Sequence, residues 1–153
     1  MTKPLIGICT DHVRCFPQPD RDRSYLKLYP TYANAVIAAG GTPLVIPVVP
    51  DVNDIRALLD LVQGVILVGG DDYPPEWYGK KPLPTDVLVT PERASFHREF
   101  TPMLYEQTDL PVPGMCGGMQ MTAIWPGGTL LQHIRYSMHR DRTTGFKRDT
   151  RSI

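Results

Sequence analysis

The chain has 153 residues, 42% hydrophobic and 21% charged, the size and composition of one globular domain with a sizeable core. Its 16 basic and 16 acidic residues cancel, so the overall charge gives no reason to expect nucleic acid or an anionic membrane, and no apolar run nears the roughly 20 residues of a bilayer span. Three cysteines, Cys9, Cys15 and Cys116, form an odd set without regular spacing, which argues against a disulfide framework and fits a reducing cytoplasm.

The first predicted element is a buried strand over 4–10, "PLIGICT", too short an apolar run for a signal peptide. Residues 11–23 are polar with two prolines and read as a loop. Over 25–39 apolar residues recur at helical spacing (Tyr32, Ala35, Val36, Ala39), with Pro30 near the helix start and Gly40-Gly41 as its stop. A second strand follows at 42–49. A helix is predicted over 51–62, capped by Asp51 and apolar at Val52, Ile55, Leu58 and Leu59. A third strand, "GVILVGG" at 64–70, ends in glycine. Residues 71–92 form a long Pro-rich loop, and 92–108 a helix that Pro102 bends or divides. The run 110–115 leads into Cys116, a helix covers 118–125, and 127–134 make a last turn and short strand.

Strands alternating with helices predict an α/β three-layer sandwich on a mostly parallel sheet of four or five strands. Chemistry in such sheets gathers at the carboxyl ends of strands, where Gly69-Gly70 and Cys116 both fall. The spacing Gly114-Met115-Cys116-Gly117-Gly118 is G-x-C-x-G, the cysteine form of the strand-to-helix elbow that raises a nucleophile above a sheet. The organisation expected is one α/β domain over 1–134 and a tail over 135–153. The tail holds six basic and two acidic residues, net +4, with few large apolar side chains, so it is expected to be poorly ordered. There is no Gly-x-Gly-x-x-Gly, no Walker A sequence and no Cys/His metal spacing, so no cofactor and no metal are expected.

Four stretches together resemble a known family: "PLIGICTD", "YANAVIAAGGTPLVIP", "GVILVGGDDYPPEWYG" and "PVPGMCGGMQMTAIWPGGTLLQHI". The third matches a G-G-x-D-x-x-P-x-x-Y-G pattern through Gly69, Gly70, Asp72, Pro75, Tyr78 and Gly79. The chain looks like the N-terminal part of the class I glutamine amidotransferase superfamily, which has a flavodoxin-like fold. Within it, the chain looks closest to the stand-alone γ-glutamyl hydrolase branch that includes γ-glutamyl-γ-aminobutyrate hydrolase, peptidase family C26. The resemblance implies a cysteine hydrolase of γ-glutamyl amide bonds acting on a small γ-glutamyl or glutamine-like substrate. Cys116 would be the nucleophile, Gly70 and Gly117 the oxyanion hole, and Asp72, Tyr78 and Gln120 the groups around the substrate.

Departures from the family pattern temper that expectation. The family's His-x-Glu pair, which activates the cysteine, lies far downstream of the elbow, and the chain ends 37 residues after Cys116. His97-Arg98-Glu99 has the right letters but precedes the elbow on a predicted helix, where positions i and i+2 do not face each other. His133 and His139 have no acidic residue two places on. The family usually has arginine where this chain has Gly117, and an Arg-Asp pair where it has Arg93-Ala94. Pro113 removes one ladder bond from the run before the elbow. These features predict a C-terminally short relative with weak or no turnover, which would self-associate as a homo-oligomer to cover its incomplete sheet. Two other readings stay open: a glutaminase subunit of an amidotransferase, and a non-catalytic interaction module.

Overall fold

A computed structural model describes residues 2–15 and 24–132. A parallel three-stranded sheet forms its centre, in the order β4-β1-β5, with β1 at Leu5–Cys9, β4 at Thr42–Ile46 and β5 at Gly64–Ile66. A fourth row lies beside β5. Val65 N donates to Pro111 O, Leu67 N to Pro113 O, and Met115 N to Leu67 O. In a parallel ladder the missing rung is the one Pro113 would donate to Val65, so the proline costs this row one bond and leaves the others. The order second-first-third-fourth is that of a flavodoxin-like sheet.

Side-chain alternation along β1 explains the layering. Ile8, with Ile6, packs with Val36, Tyr32 and Ala33 of helix α1 (Pro30–Ala38) on one face. Cys9, with Leu5, faces the other way, into the larger cluster of Ile46, Val65, Leu67, Leu59, Phe96, Phe100 and Leu104. That cluster is covered by helix α2 (Arg56–Leu59) and helix α3 (Pro91–Gln107). The sequence expectation of a mostly parallel sheet between helical layers therefore stands.

The helix stops follow local chemistry. Gly40, at φ 87, lets Gly41 N reach Val36 O (2.9 Å) and Gly40 N reach Ile37 O (3.0 Å), a Schellman end to α1. Asp51 Oδ1 accepts Asn53 N at 2.9 Å, as its capping role predicts. The element it caps is a 3₁₀ turn, Val52–Ile55, running into the single turn of α2, rather than a helix to residue 62. Pro102 sits inside α3 without dividing it, and Thr90 Oγ1 caps that helix at Arg93 N (3.3 Å).

The polar stretch predicted as loop contains a strand. β2 (Asp11–Arg14) pairs antiparallel with β3 (Ser24–Lys27), and α1 begins at Pro30, where the sequence places the helix start. The pairing sets Asp11 opposite Lys27, with an Asp11–Lys27 ion pair of 3.2 Å. The strands expected over 42–49 and 64–70 are shorter, ending at Ile46 and Ile66. Residues 127–132 form no strand. His133, His139 and the tail 135–153 lie outside the described residues. Among the described residues no helix is long and apolar enough to cross a membrane, and no group of three or more metal-ligating side chains gathers.

Candidate active site

Cys116 stands at the turn between the fourth sheet row and helix α4 (Gly117–Ile124). Its backbone has φ 48 and ψ −109, making it the one non-glycine residue with positive φ among the described residues. Gly118 N donates to Met115 O at 2.9 Å and closes the turn around it. A cysteine at such a corner costs about 1–3 kcal/mol relative to relaxed backbone, strain that structures keep chiefly at functional positions. The thiol side is exposed.

The flanking glycines make this corner possible. A Cβ on Gly118 would stand 2.1 Å from Leu67 O, and a Cβ on Gly114 would stand 2.5 Å from the Gly118 carbonyl carbon. Both obstacles are backbone, so neither can swing away. The first turn of α4 thus lies directly on Leu67, just past β5, and on the fourth row, and only glycine fits at the G-x-C-x-G ends.

The segment after β5 comes up against this corner. The Cβ position of Gly117 is 3.3 Å from Gly70 N, and that of Gly69 is 3.2 Å from Cys116 Cβ. The predicted pair Gly70 and Gly117 are therefore backbone neighbours beside Cys116. An arginine at 117, the family's usual choice, would press its Cβ on the 70–71 backbone in this arrangement. Gly69 N donates to Tyr32 Oη at 3.0 Å, so a hydroxyl from α1 also reaches the corner. Sequence reading placed Tyr32 on the packing face of α1 and gave no sign of this contact.

Asp72 and Gln120 are brought together as well: Gln120 Nε2 donates to Asp72 Oδ1 at 3.0 Å, leaving Gln120 Oε1 buried without a partner. Tyr78 is half-buried nearby. Burial raises its phenol pKa first, and the carboxylates of Asp86, Asp72 and Glu76 raise it further. The loop carrying Asp72 and Tyr78 is held by Asp72 N to Val87 O (2.8 Å), Val89 N to Asp72 O (2.9 Å) and Thr129 Oγ1 to Tyr78 O (3.2 Å). Its anchor is Tyr73, fully buried, stacked 5.8 Å from Trp77 and hydrogen-bonded to His97 Nδ1 at 2.7 Å.

That contact disposes of the His97-Arg98-Glu99 triplet as a catalytic pair. His97 is fully buried against Tyr73, while Glu99 is exposed. Burial, and then the Arg93 charge, depress the His97 pKa to about 3, so the ring is neutral at ordinary pH. His12, the other described histidine, meets Thr90 Oγ1 at 2.9 Å.

Behind Gly70 lies a fully buried Arg93. Its Nη1 donates to Asp11 Oδ1 at 2.5 Å and its Nη2 to Val68 O at 2.9 Å. The position a Cβ on Gly70 would take is only 1.9 Å from Arg93 Nη1. Residue 70 is thus glycine because a guanidinium fills its side-chain space, a cause the sequence did not disclose.

A family model described as Peptidase C26 matches residues 4–151. The chain belongs to the peptidase C26 family. This C26 chain is 34% identical over 149 residues to a Rickettsia prowazekii protein named as glutamine amidotransferase-like, RP404, an alignment covering 95% of the chain and 52% of that protein. It is 32% identical over 105 residues to a Mycobacterium tuberculosis protein named as a glutamine amidotransferase, Rv2859c, covering 67% of the chain and 33% of that protein. It is 30% identical over 103 residues to protein NtpR of Enterococcus hirae, covering 67% of the chain and 42% of that protein. The C26 chain therefore spans about half or less of the length of these relatives.

The thiols differ in a measurable way. Cys9 is fully buried, and burial pushes its pKa up to about 12 against a smaller lowering by Arg93. Cys15 and Cys116 are exposed. Brief iodoacetamide treatment of native protein followed by peptide mapping is expected to label Cys116 and Cys15 and spare Cys9. Labelling of Cys9 at the rate of Cys116 would show that the β1 core opens freely.

Proposed function

We propose that the chain acts on γ-glutamyl amide bonds, with Cys116 as nucleophile. The observation that carries this reading is the exposed, positive-φ thiol at the start of α4, with the Gly70 and Gly117 backbones meeting beside it. Cys116 Sγ attacks the γ-carbonyl carbon and a C–S bond forms. The Gly70 and Gly117 N–H groups receive the carbonyl oxygen as it becomes an oxyanion. The C–N bond then breaks, the amine leaves with a proton, and a γ-glutamyl thioester remains on Cys116. Water hydrolyses the thioester to glutamate and restores the thiol. The exposed Asp72 carboxylate, held by Gln120 Nε2, suits a substrate ammonium group.

Deacylation needs a positioned base, worth roughly 10²–10⁴-fold. His12 is bonded to Thr90 and His97 to Tyr73, so neither described imidazole serves Cys116. With no imidazole among the described residues placed to serve Cys116, the second half-reaction is proposed to be slow. With γ-glutamyl-p-nitroanilide the expected result is a burst of p-nitroaniline of about one equivalent per chain, followed by turnover near background. Cys116→Ala abolishes the burst. An equal burst in that variant would end the proposal.

The names of the relatives favour a second reading, in which the ammonia released from glutamine is passed to a synthase rather than lost. The thioester at Cys116 is common to both. They part on the leaving group: a glutaminase would acylate faster from glutamine than from secondary γ-glutamyl amides.

A further inference from the structure

We propose that Arg93, held by Asp11, is a positioning residue that fixes the Gly69–Gly70 backbone against Cys116. The inference rests on the nucleophile reading for its chemical consequence, but its structural content stands separately. Arg93 comes from the first turn of α3, Asp11 from the start of β2, and Val68 from the segment just past β5. One guanidinium thus joins three elements, and its two terminal nitrogens face different masters, a carboxylate and a main-chain carbonyl. The carbonyl belongs to the residue directly before Gly69, and the guanidinium occupies the space beside the Gly70 Cα. The backbone between Val68 and Gly70 is gripped on one side by Arg93 and on the other by Tyr32 Oη, which accepts the Gly69 N–H.

Stability alone does not account for an arginine here. Arg93 is fully buried, its guanidinium also interacts with the Tyr73 hydroxyl, and its Nε has no partner. A buried ion pair with incomplete hydrogen bonding is often replaceable by apolar side chains at no loss. What an apolar side chain lacks is a planar fork that can pull a carbonyl and press a glycine at once. The fork aims the Gly70 N–H at the place where the oxyanion forms, while its hydrogen bonds and ion pair go to Asp11 and Val68 and not to Cys116.

Those two dependences can be separated. Acylation by γ-glutamyl-p-nitroanilide passes through an oxyanion. Alkylation by iodoacetamide is a direct displacement at carbon and does not. In Arg93→Lys, the burst rate is expected to fall about a hundredfold, the usual scale for losing one oxyanion donor, with Cys116 alkylation unchanged. Asp11→Asn, which keeps Arg93 but weakens its anchor, should show the same split to a smaller degree, and it carries the test if Arg93→Lys does not fold. Amide hydrogen exchange by NMR is read on the same proteins. Gly69 should lose protection selectively, while Leu67, bonded to Pro113 O, keeps its own. Unchanged Gly69 protection, or equal loss at Gly69 and Leu67, would overturn the clamp whatever the burst does. Equal slowing of acylation and alkylation would overturn it too. Selective loss at Gly69 in a protein whose wild type gives no burst would keep the clamp and end the nucleophile reading.

Discussion

Gly118→Ala is expected to destabilise the fold by about 3 kcal/mol or more, at the upper end of the cost of overpacking. The new Cβ would stand 2.1 Å from Leu67 O and 2.6 Å from the Leu67 carbonyl carbon. Relief requires α4 to lift from Leu67, which would also carry Cys116 away from Gly69 and Gly70. Gly114→Ala is expected to cost a similar amount, because its Cβ meets the Gly118 carbonyl and Met119 N at 2.5–2.6 Å. Gly79→Ala is the control. Gly79 has φ 73 with nothing within 4 Å of its Cβ position, so only the backbone penalty of about 1 kcal/mol applies. Urea unfolding of the three variants beside wild type decides the matter. A Gly118→Ala protein as stable as Gly79→Ala would mean that α4 does not lie on the Leu67 backbone.

Acid sensitivity is the second large effect, and it comes from His97. Its folded pKa, about 3, lies below the ordinary 6.5 because burial excludes the charged ring and Arg93 repels it. The unfolded chain therefore binds a proton that the folded chain refuses. The stability this ring contributes is full above pH 6.5 and is lost as pH falls from 6.5 toward 3. Between pH 7 and pH 5 the loss from this one group is about 2 kcal/mol. His97→Gln keeps a hydrogen-bonding partner for Tyr73 and removes the titration. It should be less stable than wild type at pH 7, yet lose less between pH 7 and pH 5. Parallel pH profiles for the two proteins would show that His97 is not buried neutral.

Much of the frame was legible because the signals are local. The apolar runs of β1 and β5, the Pro30 start and Gly40 stop of α1, and the Asp51 cap each depend on neighbours a few residues away. The antiparallel pairing of β2 with β3 was not legible. Asp11 and Arg14 read as loop residues, and only pairing with a distant strand makes them strand. The same division runs through the site. Gly114, Cys116 and Gly118 announce the corner by their spacing, since the clash each glycine avoids lies within the motif or on the adjoining strand. The contacts that surround it join residues far apart in sequence: Tyr32 to Gly69, Tyr73 to His97, and Asp11 to Arg93. No periodicity encodes such pairs. Arg93 illustrates the point, since the sequence offers it an alanine as neighbour in place of the family's aspartate, while the fold brings it Asp11.

The proposed chemistry requires that Cys116 carry the acyl group. Incubating the full chain with γ-glutamyl-p-nitroanilide, quenching in acid within the burst, and mapping peptides by mass spectrometry reads this directly. The expected result is a mass gain of one glutamyl residue on the peptide containing Cys116. The gain should be removed by hydroxylamine as a thioester is, and it should be absent from the Cys9 and Cys15 peptides and from Cys116→Ala protein. An unmodified Cys116 peptide after p-nitroaniline has been released, or a glutamyl group found on Cys15 instead, would contradict it.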